Sequence, residues 1–290
     1  MDVFGQPATT ASLERRVQRV TDEGLETIDD CVAVEEPLEI LIEHSGGVEP
    51  LTVTMRTPGN DRELTVGFLL AEGIVSNSSE LDSVTETLVD GEFHNQIVAR
   101  LGDGIAFDRD AFRRNVLTTS ACGICGRASI EQLVTRCEGR VRRTKPISLS
   151  LVQSLPKALV TQQSTFATTG GLHAAGIFDS SGAPIVIRED IGRHNAVDKV
   201  IGFCALSGIS LTGDHTVLTG LTGDHIVVVS GRASYELVQK AIVSGLGALV
   251  AVGAPSTLAV DLAAEFGLLL IGFTRTDRCN VYTCQEDVAR

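Results

Sequence analysis

Two cysteines, Cys122 and Cys125, form the most closely spaced thiol pair in the chain, with only a glycine and an isoleucine between them. A C-x-x-C spacing can place both sulfur atoms on one tight turn, where one thiol assists or resolves the other. Arg127 follows two residues later, and a nearby cation can lower the pKa of a thiol and so favour the reactive thiolate. Four chemistries fit this pair: a thioredoxin-like redox pair, half of a zinc site, a persulfide carrier, or structural thiols.

The surrounding sequence disfavours the redox and zinc interpretations. A thioredoxin-like pair is expected at a strand-to-helix turn in a βαβ unit, whereas Cys122 follows a β-rich segment. A structural zinc site needs a second close pair of ligands, and a zinc deaminase needs an H-x-E motif before a P-C-x-x-C motif. His173 instead follows the cysteines and lacks the glutamate. A tandem repeat at 212–231 contains two Asp-His pairs, which Gly-Asp turns explain more simply than a metal. No metal site is predicted, and sulfur carriage and structural thiols stay open.

The composition is that of a folded protein and disfavours partners with a negatively charged surface. The chain has 290 residues, of which 43% are hydrophobic, and this size favours two domains with separate cores. Its formal net charge of −13 opposes nonspecific binding to nucleic acid or to anionic membranes. Residues 1–16 lack the features of a secretory signal, and no apolar run reaches membrane-spanning length. We therefore expect a cytoplasmic protein with reduced thiols.

The first half of the chain is predicted to be rich in β-strands. Residues 1–30 show no sustained periodicity and are interpreted as a mobile tail. Two hairpins with a short helix between them follow. The predicted strands are 32–34, 38–42, 51–55, 84–89 and 93–101, and the predicted helix is 64–71, stopped at Gly73. A β-rich domain is assigned to residues 31–145, and it ends in the cysteine turn and a basic linker.

The second half alternates strands with helices, and residues 146–290 are assigned to an α/β sandwich domain. The predicted strands are 176–179, 185–188, 225–229, 248–252 and 268–273, and the predicted helices are 148–159, 195–206, 234–243 and 257–266. The later strands are almost entirely apolar, as strands covered on both faces should be.

Small residues, hydroxyls and arginines follow each strand of this second domain. Ligands of open α/β sheets bind beyond the carboxyl ends of the strands, where helix N-termini also point unpaired N–H groups. Guanidinium groups match phosphate oxygens, and glycine lets a backbone N–H approach them. Helix capping by Ser230, Ser256 and Thr257 explains the hydroxyls but not the repeated arginines. The pattern therefore predicts a pocket for a phosphate-bearing ligand.

Six stretches, taken in order, resemble the formate dehydrogenase accessory sulfurtransferases, the FdhD/NarQ family. They are TPGNDRELTVGFLLAEGI from residue 57, TTSACGICGRASIEQL from 118, FATTGGLHAAGIF from 166, REDIGRHNAVDKVIG from 188, SGRASYELVQKA from 230 and APSTLAVDLAAEFGLLLIGF from 254. The resemblance extends from about Val32 to the C-terminus. It implies a cytidine-deaminase-like fold for the α/β domain, so the whole chain is expected to be α+β.

The resemblance also implies a function. Members of this family accept sulfur from a pyridoxal-phosphate cysteine desulfurase and pass it to Mo-bis(molybdopterin guanine dinucleotide), or to the tungsten form, as formate dehydrogenase requires. By motif match, Cys122 carries the persulfide and Cys125 assists or resolves it. The cofactor-contacting segment of the family matches Phe273, Thr274, Arg275, Thr276, Asp277 and Arg278.

We therefore expect a homodimeric sulfurtransferase that acts through a persulfide on Cys122 and has no tightly bound metal of its own. The guanine and diphosphate groups of the cofactor are expected to be held by Arg193, Ser230, Gly231, Arg232, Arg275 and Arg278. The competing hypothesis is a noncatalytic cofactor-binding chaperone, in which the thiols of Cys122 and Cys125 are structural.

Overall fold

The protein folds into two sheet-containing halves that are joined by a helix–helix contact. In a computed structural model, the described residues are 10–89, 92–109, 112, 141, 143–211 and 223–289. The cysteine turn around Cys122 and Cys125 and most of the tandem repeat lie outside these residues. In the part of the chain that the structure describes, no helix is long and apolar enough to cross a membrane.

A long hairpin begins the described chain. Strands β1 (Ser12–Thr21) and β2 (Gly24–Ala33) pair in antiparallel register along their whole length. Residues 12–30, which the sequence pattern assigns to a tail, therefore form strands instead. Apolar alternation is weak here because oppositely charged residues face each other across the hairpin, as Arg19 and Glu26 do at 3.4 Å.

A four-stranded sheet with one helix forms the rest of the first half. Its elements are β3 (Glu36–His44), β4 (Gly47–Arg56), α1 (Asp61–Ala71), β5 (Leu81–Val89) and β6 (Glu92–Leu101). The strand order is β4-β3-β6-β5, with β3 parallel to β6 and the other pairs antiparallel. Apolar residues of α1 and of the sheet share one core. The two predicted hairpins and the helix between them are confirmed.

The second half is built on a six-stranded sheet. Its elements are β7 (Ile147–Ser148), α2 (Leu149–Val160), α3 (Ser164–Thr169), β8 (His173–Phe178), β9 (Pro184–Asp190), α4 (Arg193–Leu206), β10 (Ile226–Val229), α5 (Tyr235–Val243), β11 (Ala248–Ala251), α6 (Thr257–Phe266), β12 (Leu269–Gly272), β13 (Asn280–Val281) and β14 (Val288–Ala289). The sheet order is β13-β12-β11-β10-β8-β9, and β7 pairs with β14 outside it.

Two cores lie on the two faces of this sheet. Helices α4, α5 and α6 pack on one face, whereas α2 packs on the other. Every residue of β10, β11 and β12 is buried, which confirms the prediction of strands covered on both faces. Gly267 ends α6 with a φ of 72°, a conformation that glycine adopts without steric cost. The α+β class is confirmed, whereas the deaminase-like fold stays a prediction.

The two halves meet where α1 crosses α4, and glycine is required at the crossing. A Cβ atom at Gly67 would lie 1.8 Å from the carbonyl oxygen of Asp198, and one at Gly202 would lie 1.8 Å from that of Glu63. Both distances are far below van der Waals contact, so only glycine lets the two backbones approach this closely. The contact fixes α4 and the end of β9 relative to the first half.

Candidate functional site

One edge of the six-stranded sheet collects the groups that the sequence pattern predicts to bind a ligand. Strands β9 and β10 both run antiparallel to β8, and β10, β11 and β12 are parallel. The carboxyl ends of β9, β10, β11 and β12 therefore share this edge with the first residue of β8. Helices α4, α5 and α6 begin beyond it. We call this the strand-end edge and define it as residues 173, 190–193, 230–234, 252–256 and 273–278.

Backbone hydrogen bonds hold the loops of this edge side by side. The N–H of Gly253 donates to the carbonyl of Gly231 at 2.8 Å, and the N–H of Phe273 donates to the carbonyl of Gly253 at 3.0 Å. A Cβ atom at Gly253 would lie 2.9 Å from the Gly231 oxygen, so a side chain there would push the loops apart. The loops after β10, β11 and β12 thus form one connected surface.

Four arginines project from this surface without carboxylate partners. They are Arg193, Arg232, Arg275 and Arg278, and none of them forms an ion pair with another residue that the structure describes. The chain as a whole has a formal net charge of −13, so four arginines gathered at one place contrast with its acidic character. Together with the helix N-termini, these arginines make the edge suited to an anionic ligand.

The segment after β12 is the part of the edge that the sequence resemblance predicts to contact the cofactor. The Nη1 of Arg275 donates to the carbonyls of Val252 and Thr274, both at 2.8 Å. The backbone N–H of Arg275 donates to the carbonyl of Arg278 at 2.8 Å. One side of the Arg275 guanidinium therefore holds the loop in place through hydrogen bonds. Thr276, Asp277 and Arg278 are exposed.

Two residues of the same segment carry strain or an unsatisfied group. Phe273 has a φ of 51° and its side chain is 44% exposed, although a bulky residue seldom adopts a positive φ. Thr274 is fully buried, and its Oγ1 has no hydrogen-bond partner among the described residues. Leaving a buried hydroxyl unpaired costs about 1–3 kcal/mol. Both features are typical of a site that is completed by a ligand.

A second group of polar residues meets near the start of β8. A Cβ atom at Gly231 would lie 3.4 Å from Nδ1 of His173 and 3.9 Å from Cδ of Arg193, so these three residues are neighbours. Ser230 also lies at the start of β8, because its Oγ accepts a hydrogen bond from the N–H of Ala174 at 2.9 Å. The Nε atom of Arg193 is buried and has no acceptor in the described part of the chain.

The surroundings of His173 lower its pKa and favour the neutral imidazole. Burial is the main cause that lowers its pKa from the ordinary value of 6.5, and the positive charge of Arg193 and the nearby His194 lower it further. Asp190 opposes the shift but does not outweigh it. A neutral imidazole offers one hydrogen-bond donor and one acceptor. In the sequence analysis, His173 was considered only as the histidine of an H-x-E motif that lacks the glutamate. Its position beside Arg193 was not predicted.

Other polar residues of the same sequence motif serve the contact between the halves. Lys199 binds Asp190 at 2.7 Å and the carbonyl of Thr57 at 2.9 Å, and Asn195 donates to the carbonyl of Met55 at 2.7 Å. These groups are buried, so they position the end of β9 rather than face a ligand. Sequence spacing alone does not separate them from Arg193.

The predicted reactive thiols, Cys122 and Cys125, lie outside the described residues, so their distance from the strand-end edge stays a prediction. Among the described thiols, burial raises the pKa of Cys204 to about 12 and also raises that of Cys279. A thiol with a raised pKa is a poor nucleophile because little thiolate is present at neutral pH. Cys204 is therefore a small buried hydrophobe.

Two cavities, of about 690 and 550 Å³, lie away from the strand-end edge, whereas one of about 350 Å³ adjoins it and is lined by residues that include His194, Asn195 and Glu236. A cavity of about 690 Å³ at the opposite edge of the sheet is lined by residues that include Arg143, Tyr282 and Cys284, and it contains none of the four unpaired arginines. Within the described ranges, no group of three or more His, Cys, Asp or Glu side chains could hold a metal ion. Charge and hydrogen-bonding capacity, not concavity, distinguish the candidate site.

Comparisons with known proteins place the chain among sulfur carriers. The sequence model of the FdhD/NarQ family matches residues 33–289. The chain is 44% identical over 281 residues to the sulfur carrier protein FdhD of Streptomyces avermitilis, covering 95% of each chain. It is 41% identical over 286 residues to that of Mycobacterium tuberculosis, covering 94% of this chain and 97% of the relative.

A crystal structure supports the fold. It is that of a protein proposed to be a formate dehydrogenase accessory protein from Desulfotalea psychrophila, and it aligns with a TM-score of 0.72. The alignment covers 97% of this chain and 100% of that one at 21% sequence identity.

Proposed function

The chain belongs to the FdhD/NarQ family, and from this premise we propose that it delivers persulfide sulfur to Mo-bis(molybdopterin guanine dinucleotide) or its tungsten form. Its role as a sulfur carrier in formate dehydrogenase maturation follows from the family. A cysteine desulfurase is the proposed sulfur donor, the metal-bearing cofactor of formate dehydrogenase is the proposed acceptor, and a cytoplasmic homodimer is the proposed working form. The cofactor is a substrate of the reaction and is not a resident group.

The observation that carries this proposal is the unpaired positive charge of the strand-end edge. A guanine dinucleotide carries a diphosphate, and guanidinium groups bind phosphate oxygens through paired hydrogen bonds. Arg232, Arg278 and Arg275 form no ion pair with the described residues, so Arg232, Arg278 and the outer side of Arg275 are available for such contacts. The exposed ring of Phe273 offers a surface for a base. The buried Oγ1 of Thr274 has no hydrogen-bond partner among the residues that the structure describes, and a ligand would supply one.

We propose that sulfur reaches the protein on Cys122. The Cys122 thiolate attacks the outer sulfur of the donor persulfide, a new S–S bond forms, and the donor cysteine leaves as a thiolate. Cys125 then assists or resolves the persulfide. In resolution, its thiolate attacks the Cys122 sulfur, a Cys122–Cys125 disulfide forms, the S–S bond of the persulfide breaks, and the outer sulfur leaves as sulfide for the acceptor. The high pKa of Cys204 favours this assignment, because that buried thiol is a poor competitor for the donor's sulfur.

Mass spectrometry after incubation with a cysteine desulfurase and cysteine tests the proposal. We expect one added sulfur atom on the peptide that contains Cys122, and no such addition in the Cys122→Ala variant. Cys31→Ala is the matched control, because Cys31 is a partly exposed thiol on the β1–β2 hairpin, and this variant should load sulfur normally. A wild-type chain that binds cofactor but never carries sulfur would instead be a chaperone with structural thiols.

A further inference from the structure

The unsatisfied polar groups of the strand-end edge fall into two separate places. One is the segment after β12, with Thr274 and the exposed residues around it. The other is the start of β8, where His173, Arg193 and Gly231 meet. Strand β12 is separated from β10 by two strand spacings and from β8 by three, which corresponds to about 10–14 Å. One small anion cannot occupy both places.

The chemistry at the start of β8 suits a compact anion. The buried Nε–H of Arg193 has no acceptor among the described residues, and a charge-assisted hydrogen bond to an anion would satisfy it. The neutral imidazole of His173 supplies a further donor. The charged or titratable groups that influence His173 are Arg193 and His194 of α4 and Asp190 of β9. An anion bound beside this ring would stabilise its protonated form and raise its pKa.

We propose that His173 and Arg193 form a second anion subsite, which holds the metal-bearing centre of the cofactor while the segment after β12 holds one of its nucleotide ends. The inference rests on the proposed function, because that function supplies a ligand with an oxygen- or sulfur-bearing metal at its centre and a nucleotide at the far end of each of its two arms. This proposal gives Arg193 a different role from the sequence prediction, which assigned it to the guanine and diphosphate groups. His173 is then a residue that binds the part of the ligand that accepts sulfur.

Calorimetry with molybdate as a small tetrahedral oxyanion, in the presence of saturating GDP, tests the subsite. We expect wild-type protein to bind both ligands together. Because a hydrogen bond to a charged group contributes about 1.5–3 kcal/mol, Arg193→Gln should weaken molybdate binding at least about tenfold. The same variant should keep its affinity for GDP within about threefold. Arg100→Gln, which alters an exposed arginine paired with Glu43 in the first half, is the matched control and should change neither affinity.

Nuclear magnetic resonance of the histidine rings gives a second readout that a structural role would not produce. Molybdate should raise the pKa of His173, whose signals are assigned with His173→Gln. The ring signals of His225 should not change, because His225 precedes β10 at the opposite edge of the sheet. Failure of molybdate to bind, displacement of GDP by molybdate, or equal effects of Arg193→Gln on both ligands would each overturn the second subsite.

Sulfur loading on Cys122, measured on the same proteins, separates this inference from the proposed function. A chain that loads sulfur but binds molybdate and GDP in competition overturns the second subsite alone. A chain that binds both ligands together but never carries sulfur supports the subsite and overturns the persulfide mechanism alone.

Discussion

The contact between the two halves and the strand-end edge use charged residues in opposite ways. At the contact, charges are paired: the buried Lys199 with Asp190 at 2.7 Å, and the partly buried Arg188 with Glu63 at 2.6 Å. At the strand-end edge, four arginines have no carboxylate partner among the described residues. Paired charges within the protein hold a structure together, whereas unpaired cations at an edge are available to a ligand. Substitutions in the two regions should therefore affect different measurements.

The largest expected effect is on folding, when one partner of a buried pair is removed. Lys199→Met leaves the carboxylate of Asp190 buried without its cation, and such a change costs about 3–5 kcal/mol of the free energy of unfolding. Urea denaturation measures it. Arg19→Met is the control, because its pair with Glu26 is exposed and should contribute at most about 1 kcal/mol. Equal losses in the two variants would contradict the structural role of the buried pair.

A smaller expected effect is on ligand binding, when an unpaired arginine of the edge is removed. Arg232→Gln should lower the affinity for GDP about tenfold, since it removes a charge-assisted hydrogen bond to phosphate. The free energy of unfolding should stay within about 0.5 kcal/mol of the wild-type value, because the exposed Arg232 side chain forms no ion pair with the described residues. Calorimetry and urea denaturation on the same protein check both statements. If Arg232→Gln lost as much stability as Lys199→Met, the proposed difference between the two regions would be contradicted.

The smallest expected effect concerns Glu236, which lies next to the strand-end edge. Its hydrogen bond with His194 is the main cause that lowers the pKa of Glu236 from 4.5 to about 2. Because the folded-state pKa is depressed, this stabilisation is present above pH 4.5 and is lost as the pH falls from 4.5 towards 2. The side chain is 38% exposed, so solvent screening keeps the contribution below about 1 kcal/mol.

Urea denaturation at pH 5 and at pH 3 tests the contribution of Glu236. Glu236→Gln should lose less stability than wild type between these two values, because it has no carboxylate to protonate. Glu26→Gln, which alters an exposed carboxylate of the β1–β2 hairpin, should retain the wild-type dependence. An identical acid dependence in wild type and Glu236→Gln would contradict the role given to the His194 contact.

Local patterns were sufficient to predict most of the fold. The apolar runs at 225–229, 248–252 and 268–273 identify the central strands because burial on both faces leaves no room for polar side chains. Gly73 and Gly267 mark helix ends because they adopt positive φ angles there. The β1–β2 hairpin was not predicted, because its strands carry charged residues on both faces and are held by each other rather than by an apolar core.

The sequence by itself determined the family, the periodic elements and the expectation that Cys122 carries sulfur. Only the tertiary structure decided which polar residues are partnered. The REDIGRHNAVDK stretch contains both kinds: Asp190 and Lys199 are buried at the contact between the halves, whereas Nε of Arg193 is left without an acceptor among the described residues. The physical reason is that pairing depends on residues far apart in the chain, as the contact of Lys199 with Thr57 shows. Spacing along the sequence carries no record of such contacts.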